Sequence, residues 1–204
     1  MGSVKISPGN SKLGSIPSVS LPSVITCRAA QCQSKCYARK LERLRPVVAA
    51  AYASNLELLN SDQDTYWREV EGAIMMSRFF RFHVSGDIPN EEYLCRMVDI
   101  AERNKHCNIL CFTKKFELVN NFVFSNGLFG DKFPKNLHII FSAWVGLEMI
   151  NPFSFPEAHV RYKDGTSTTE LDCIECSGNC TECAVTDGGC WSLKPGERVI
   201  FNEH

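Results

Sequence analysis

The chain has 204 residues, a formal net charge of −1, 44% hydrophobic and 22% charged residues, which suits one folded domain and excludes wholesale disorder. Near-neutral charge argues against a nucleic-acid binder that works through a large basic surface, while leaving room for a local basic patch. No apolar run approaches the roughly 20 residues needed to cross a bilayer, and the N-terminus lacks the apolar core of a signal peptide, so a cytoplasmic protein without a membrane partner is expected.

Residues 1–26 are rich in Ser, Pro and Gly without a sustained period, and they read as an extended arm. Residues 27–204 read as a single α/β domain that opens with a cysteine loop at 27–36. Apolar residues at three- and four-residue spacings then predict a long helix over about 38–60, with Pro46 as a kink or a boundary. A second helix is expected over about 63–77, where Asp62 or Asp64 offers an N-cap. The period shifts at Phe79, and residues 79–84 read as a strand that Ser85, Gly86 and Asp87 end. Pro89 stands where the next helix begins, and that helix runs to about Asn104. Residues 107–113 are a strand, 115–125 a helix and 137–144 a third strand, with weaker strands at 158–162 and 198–202. A cysteine-rich insertion occupies 173–191.

Alternating strands and helices imply right-handed crossovers and a parallel sheet. The strands are too few for a closed eight-stranded barrel. The expected architecture is therefore a partial (βα) barrel or a short, mostly parallel sheet with flanking helices and a cysteine-rich metal-binding C-terminal loop. Ligands in such folds gather at the carboxyl ends of the strands. Those ends carry Ser85, Gly86 and Asp87, then Thr113, Lys114 and Lys115, then Ser142 and Trp144.

Eleven cysteines without an export signal point to metal binding rather than disulfides. Cys95, Cys107 and Cys111 fall in predicted helix and strand and read as small buried hydrophobes. Cys27, Cys32 and Cys36 place three soft ligands on a loop entering a helix. Three thiolates can hold a [4Fe-4S] cluster with one iron open, or form part of a zinc site completed elsewhere. Cys176, Cys180, Cys183 and Cys190 supply four thiolates in fifteen residues, enough to close a [4Fe-4S] or zinc site. Cys173 is a fifth candidate ligand, either spare or completing the first site across space.

His83 with Asp87 reads as an acid/base pair or pocket lining, against a bland alternative of a satisfied histidine and a helix-capping aspartate. Lys114 and Lys115 offer cations to an anionic group, or simply begin a solvated helix. An arm wrapping the barrel mouth would bring Lys12 and Ser18 near the first cysteines.

The series Asn10-Ser11-Lys12, Ser18 to Pro22, Cys27, Cys32, Cys36-Tyr37-Ala38, His83 to Asp87, Phe112-Thr113-Lys114 and the cysteines from Cys176 to Cys190-Trp191 resembles one family. It is similar, from about residue 10 to the end, to phage, plasmid and bacterial proteins called gene product 88-like. That family is more distantly similar to radical S-adenosylmethionine proteins. The resemblance implies Cys27, Cys32 and Cys36 as ligands of an open [4Fe-4S] cluster, and Cys176, Cys180, Cys183 and Cys190 as ligands of an auxiliary one. It implies that Tyr37, Ser85, Gly86 and Asp87 bind S-adenosylmethionine, and that His83, Asp87 and Lys114 line the reaction pocket as catalytic residues. The usual loop is C-x3-C-x2-C, whereas this one has spacings of four and three, and Ser-Gly-Asp replaces the usual Gly-Gly-Glu type of strand end.

The leading expectation is thus an iron–sulfur protein, and, if an enzyme, a radical enzyme whose substrate the sequence does not name. The alternatives are a non-enzymatic module stapled by zinc or a cluster, and a two-cluster electron carrier.

Overall fold

The computed structural model describes residues 2–27, 32 and 35–203. Seven strands form one sheet: β1 (Ser18–Val19), β2 (Phe79–Phe82), β3 (Asn108–Thr113), β4 (Leu137–Ser142), β5 (Glu157–Arg161), β6 (Ile174–Glu175) and β7 (Arg198–Asn202). Their spatial order is β1-β2-β3-β4-β5-β7-β6, and every pairing is parallel. The helices are α1 (Ser23–Thr26), α2 (Tyr37–Leu44), α3 (Pro46–Ser61), α4 (Gln63–Met75), α5 (Glu91–Arg103), α6 (Phe116–Ser125) and α7 (Cys180–Val185). The fold is α/β, as expected. Pro46 is a boundary rather than a kink: it starts α3, where its missing N–H costs nothing.

The first five strands, laid side by side in chain order with right-handed crossovers, put their crossover helices on one face. Period-two alternation then divides each strand between two cores. Phe80, Phe82, Ile109, Cys111, Ile139 and Phe141 face the helices, where they pack with Tyr66, Trp67, Tyr93 and Met97. Leu110, Ile140, Ala158 and Val199 face the other way and pack with Leu13, Ile16, Ala184, Trp191 and Leu193.

That second face is concave. Phe112 on β3 and Phe201 on β7 have β4 and β5 between them, so a flat sheet would hold them about 14 Å apart. Their ring centroids are 5.8 Å apart, and only a curled sheet brings them together. Trp191 fills the same interior, 5.0 Å from the Phe79 ring on β2 and 6.5 Å from the His138 ring on β4.

The arm and the cysteine-rich segment meet over this second face of the sheet. The Cys180 N–H donates to the Lys12 carbonyl at 2.9 Å and the Thr181 hydroxyl to the Leu13 carbonyl at 2.8 Å. Gly14 (φ +61) permits the contact, since a Cβ there would stand 2.0 Å from Thr181 Oγ1. The arm thus brings Lys12 to the distal cysteines, not to the first group, and Ser18 is buried in β1. Among the described residues no helix is long and apolar enough to cross a membrane.

Candidate functional site

The carboxyl ends of β1, β2 and β3 converge on the turn Ser85–Gly86–Asp87. Gly86 adopts φ +88, and a Cβ there would lie 2.7 Å from the Leu21 carbonyl oxygen and 2.8 Å from Thr26 Oγ1. Both the left-handed backbone and the close approach require glycine. Thr26 ends α1, immediately before Cys27; its hydroxyl donates to the Pro22 carbonyl at 2.9 Å and accepts the Asp87 N–H at 3.1 Å. On the other side of the loop, the Glu42 carboxylate of α2 accepts the Ser85 hydroxyl at 2.6 Å and the Ser23 N–H at 3.1 Å. The Tyr37 hydroxyl donates to the Val84 carbonyl. The cysteine loop is therefore anchored to the strand end at both of its own ends.

Asp87 is buried, and three donors engage its carboxylate: the Thr113 hydroxyl at 2.6 Å, the Lys114 N–H at 2.9 Å and the Ile88 N–H at 2.8 Å. Burial outweighs these bonds and pushes the carboxyl above its ordinary range. Lys114 points along the concave face. Its ammonium donates to the Ser142 hydroxyl at 2.7 Å and stands 5.8 Å from the centre of the Trp144 ring.

The charge of Lys114 favours the thiolate at Cys27, Cys32 and Cys36 alike. Cys32 and Cys36 are hydrogen-bonded to each other. Cys36 is the N-cap residue of α2, and the Cys32 thiol together with the N–H groups of Arg39 and Ala38 holds it below the usual thiol range. The bond to Cys36, then burial, raises Cys32; burial, then the charge of Asp87, pushes Cys27 up to about 12. The three predicted ligands therefore form one group with one favoured thiolate. The predicted loop between them, residues 28–31 and 33–34, lies outside the described residues.

The distal cysteines form a second group. Cys176, Cys180 and Cys183 all act electrostatically on Cys190, whose burial pushes it up to about 12. Asn179 caps α7 by accepting the Glu182 N–H at 3.1 Å. The Gly178 N–H points at Cys176 Sγ (3.4 Å) and the Ser177 hydroxyl lies 3.4 Å from Cys183 Sγ. Gly189 (φ +57) leaves the Cys183 sulfur room that a Cβ at 2.7 Å would take. Trp191 closes the group from the interior and donates its indole N–H to the Cys180 carbonyl at 3.2 Å. Four thiols with N–H and O–H groups turned toward sulfur fit an all-thiolate centre. Among the described residues no three Cys, His, Asp or Glu side chains converge to the spacing around a single ion.

Two predicted residues are not brought to either group. Cys173 has Arg198, Asp172, Glu175 and Arg161 as its charged neighbours and no thiol among them. His83 has a left-handed backbone (φ +58) that turns its ring to the helix side, where Nε2 lies 3.1 Å from the Tyr93 hydroxyl and Nδ1 3.9 Å from Cys111 Sγ. Burial, helped by the charge of Arg81, pushes its pKa down to about 3. The polar atoms of Ser85 are used within the chain: Ser20 Oγ accepts its N–H, Glu42 accepts its hydroxyl, and its carbonyl accepts the Leu21 N–H.

Sequence reasoning missed Glu42, which fastens the loop, and Arg81, which lies on the concave face over the Phe112 ring at 4.8 Å. A lone cation inside the aromatic run FFRF was the available signal for Arg81.

No curated protein and no solved structure matches the chain. The Gene product 88 family profile matches residues 4–150. That range holds Cys27, Cys32, Cys36, Asp87 and Lys114, and it stops short of the distal cysteines, which the expected resemblance had included. With the arm, the first thiol group and the first four strands inside the matched range, the chain belongs to the Gene product 88 family.

Proposed function

We propose that the protein is an iron–sulfur protein, with Cys27, Cys32 and Cys36 holding a [4Fe-4S] cluster that has one open iron, and Cys176, Cys180, Cys183 and Cys190 holding a second. The observation that carries this reading is the first thiol group itself. Cys27, Cys32 and Cys36 act on one another and share the charge of Lys114 at the carboxyl end of the sheet, while Cys173 has no thiol among its charged neighbours. Three protein thiolates would leave one coordination position of such a cluster for a ligand.

A cluster of this kind supplies single electrons to whatever occupies its open position. The chain's own residues do the rest. Asp87 braces the ends of β2 and β3, Gly86 lets α1 close on the turn, and Lys114, steadied by Ser142, puts a positive charge at the mouth. The lysine would offset the charge of three thiolates and hold an anionic part of the bound molecule. The radical S-adenosylmethionine expectation rests on the sequence resemblance alone, and on that reading a sulfonium nucleoside is the first ligand to try and radical chemistry the first activity.

The test is iron, acid-labile sulfide and zinc content of protein purified without oxygen, with visible spectra before and after dithionite. About eight irons with matching sulfide, as two cubanes require, is the expected result. Zinc without sulfide would overturn the reading and leave a metal-stapled binding module.

A further inference from the structure

The curled sheet carries a second feature beside the distal thiols, where the charges of Arg81 and Lys12 both act on Cys180. Lys12 Nζ stands 4.5 Å from the centre of the Phe201 ring, Arg81 Cζ stands 4.8 Å from that of Phe112, and the two rings lie 5.8 Å apart. Two cations thus bracket an aromatic pair inside the concave face. Neither cation has a salt-bridge partner among the described residues, and Arg81 Nε is buried without a hydrogen-bond partner. One pleat further along the strands, about 7 Å away, the arrangement recurs. There Lys114 faces the Trp144 ring, which meets Tyr162 edge-on at 5.9 Å, and the Tyr162 hydroxyl is also buried without a partner.

Buried donors left unpaired cost free energy unless a ligand takes them up. Guanidinium and ammonium groups suit phosphate oxygens, and exposed aromatic faces suit the planar bases that accompany them. In a chain of net charge −1, cations without a carboxylate salt bridge among the described residues, interleaved with aromatics on one recessed face, mark a local site rather than a general basic surface. We infer that the concave face binds a nucleotide, either free or as the end of a single strand, with its phosphate drawn by the charges of Arg81 and Lys12 and its base against Trp144.

The test uses the full chain with whatever metal it carries. Binding of a short fluorescein-labelled oligothymidylate is followed by anisotropy over a salt series, with unlabelled thymidine monophosphate as competitor and metal content measured on the same samples. Saturable binding that weakens with salt is expected, and R81Q, K12Q and W144L should each weaken it roughly tenfold. Displacement by the mononucleotide assigns the site to free nucleotides; lack of displacement, with the same losses in the variants, assigns it to a strand end.

The inference is overturned if neither probe saturates, or if binding is indifferent to R81Q and K12Q. It is also overturned if these two variants lose metal while their affinity for the probe is unchanged, because the cations would then serve the thiols. K12Q, on the arm, decides the matter should R81Q not fold. Iron without probe binding would sink this inference alone, and probe binding without iron would sink only the cluster reading.

Discussion

Thr113 donates its hydroxyl to Asp87 across 2.6 Å, tying the end of β3 to the turn that follows β2. The same carboxylate takes the Lys114 N–H, so the lysine's backbone is fixed at the point where its side chain turns toward the thiols. Replacing Asp87 by Ala takes this acceptor from the buried Thr113 hydroxyl and from the backbone N–H groups of Lys114 and Ile88. A loss of about 2–4 kcal/mol is expected at roughly 1–3 kcal/mol for such groups, which have partial alternatives. Denaturant unfolding checks it. A loss below about 0.5 kcal/mol, the size of an ordinary surface change, would mean that Asp87 is not a brace.

His83 makes stability depend on pH. In the folded protein burial lowers its pKa from 6.5 to about 3, so the unfolded chain takes up the proton first. Between those two values the unfolded state binds more protons, and stability falls as pH falls, by up to about 1.4 kcal/mol per pH unit. The full contribution is present above the unfolded value. His83→Asn keeps a residue that tolerates the left-handed backbone and removes the titration. Its unfolding free energy should therefore show a shallower acid slope than the parent's over the same window. Identical slopes in the two proteins would assign the acid sensitivity to other groups.

Much of this fold could be read from the sequence because its elements are long enough to show a period. Residues 46–61, 63–75, 91–103 and 116–125 repeat apolar positions over several turns, and strands β2, β3 and β4 sit between clear turn residues. The two edge strands could not be read. Ser18–Val19 and Ile174–Glu175 are two residues each, too short for alternation to appear. The first three cysteines were legible as a group, but their neighbours Lys114 and Asp87 become neighbours only when β2 and β3 pair. Arg81 lay in a correctly expected strand. Which side chains it meets depends on the curl of the sheet, a property of the described strands together.

Gly86 tests whether the loop is pinned as the geometry indicates. Gly86→Ala must place a Cβ 2.7 Å from the Leu21 carbonyl oxygen, on a backbone at φ +88 that L-residues avoid. A cost of about 2 kcal/mol, or roughly 4–8 °C in Tm for a domain of this size, is expected. Because Thr26 and Cys27 follow directly, metal content should fall in the same variant. An unchanged Tm would mean that α1 does not press on the turn.

The cysteines separate on simple strand geometry. Cys173 and Cys176 flank β6, so three extended steps place them about 10 Å apart and on opposite faces. That is why a thiol so close in sequence stands among Arg161, Arg198 and Glu175 instead of joining the distal group. Cys173→Ser should therefore leave the metal content and visible spectrum of the purified protein unchanged. Cys190→Ser removes a thiol on which Cys176, Cys180 and Cys183 all act, and it should lose about half of the metal that the two proposed centres would hold. Cys36→Ser should lose the other half and leave the distal centre intact. If Cys173→Ser emptied the first centre instead, Cys173 would be its fourth ligand, and the open coordination position on which a radical reaction depends would not exist.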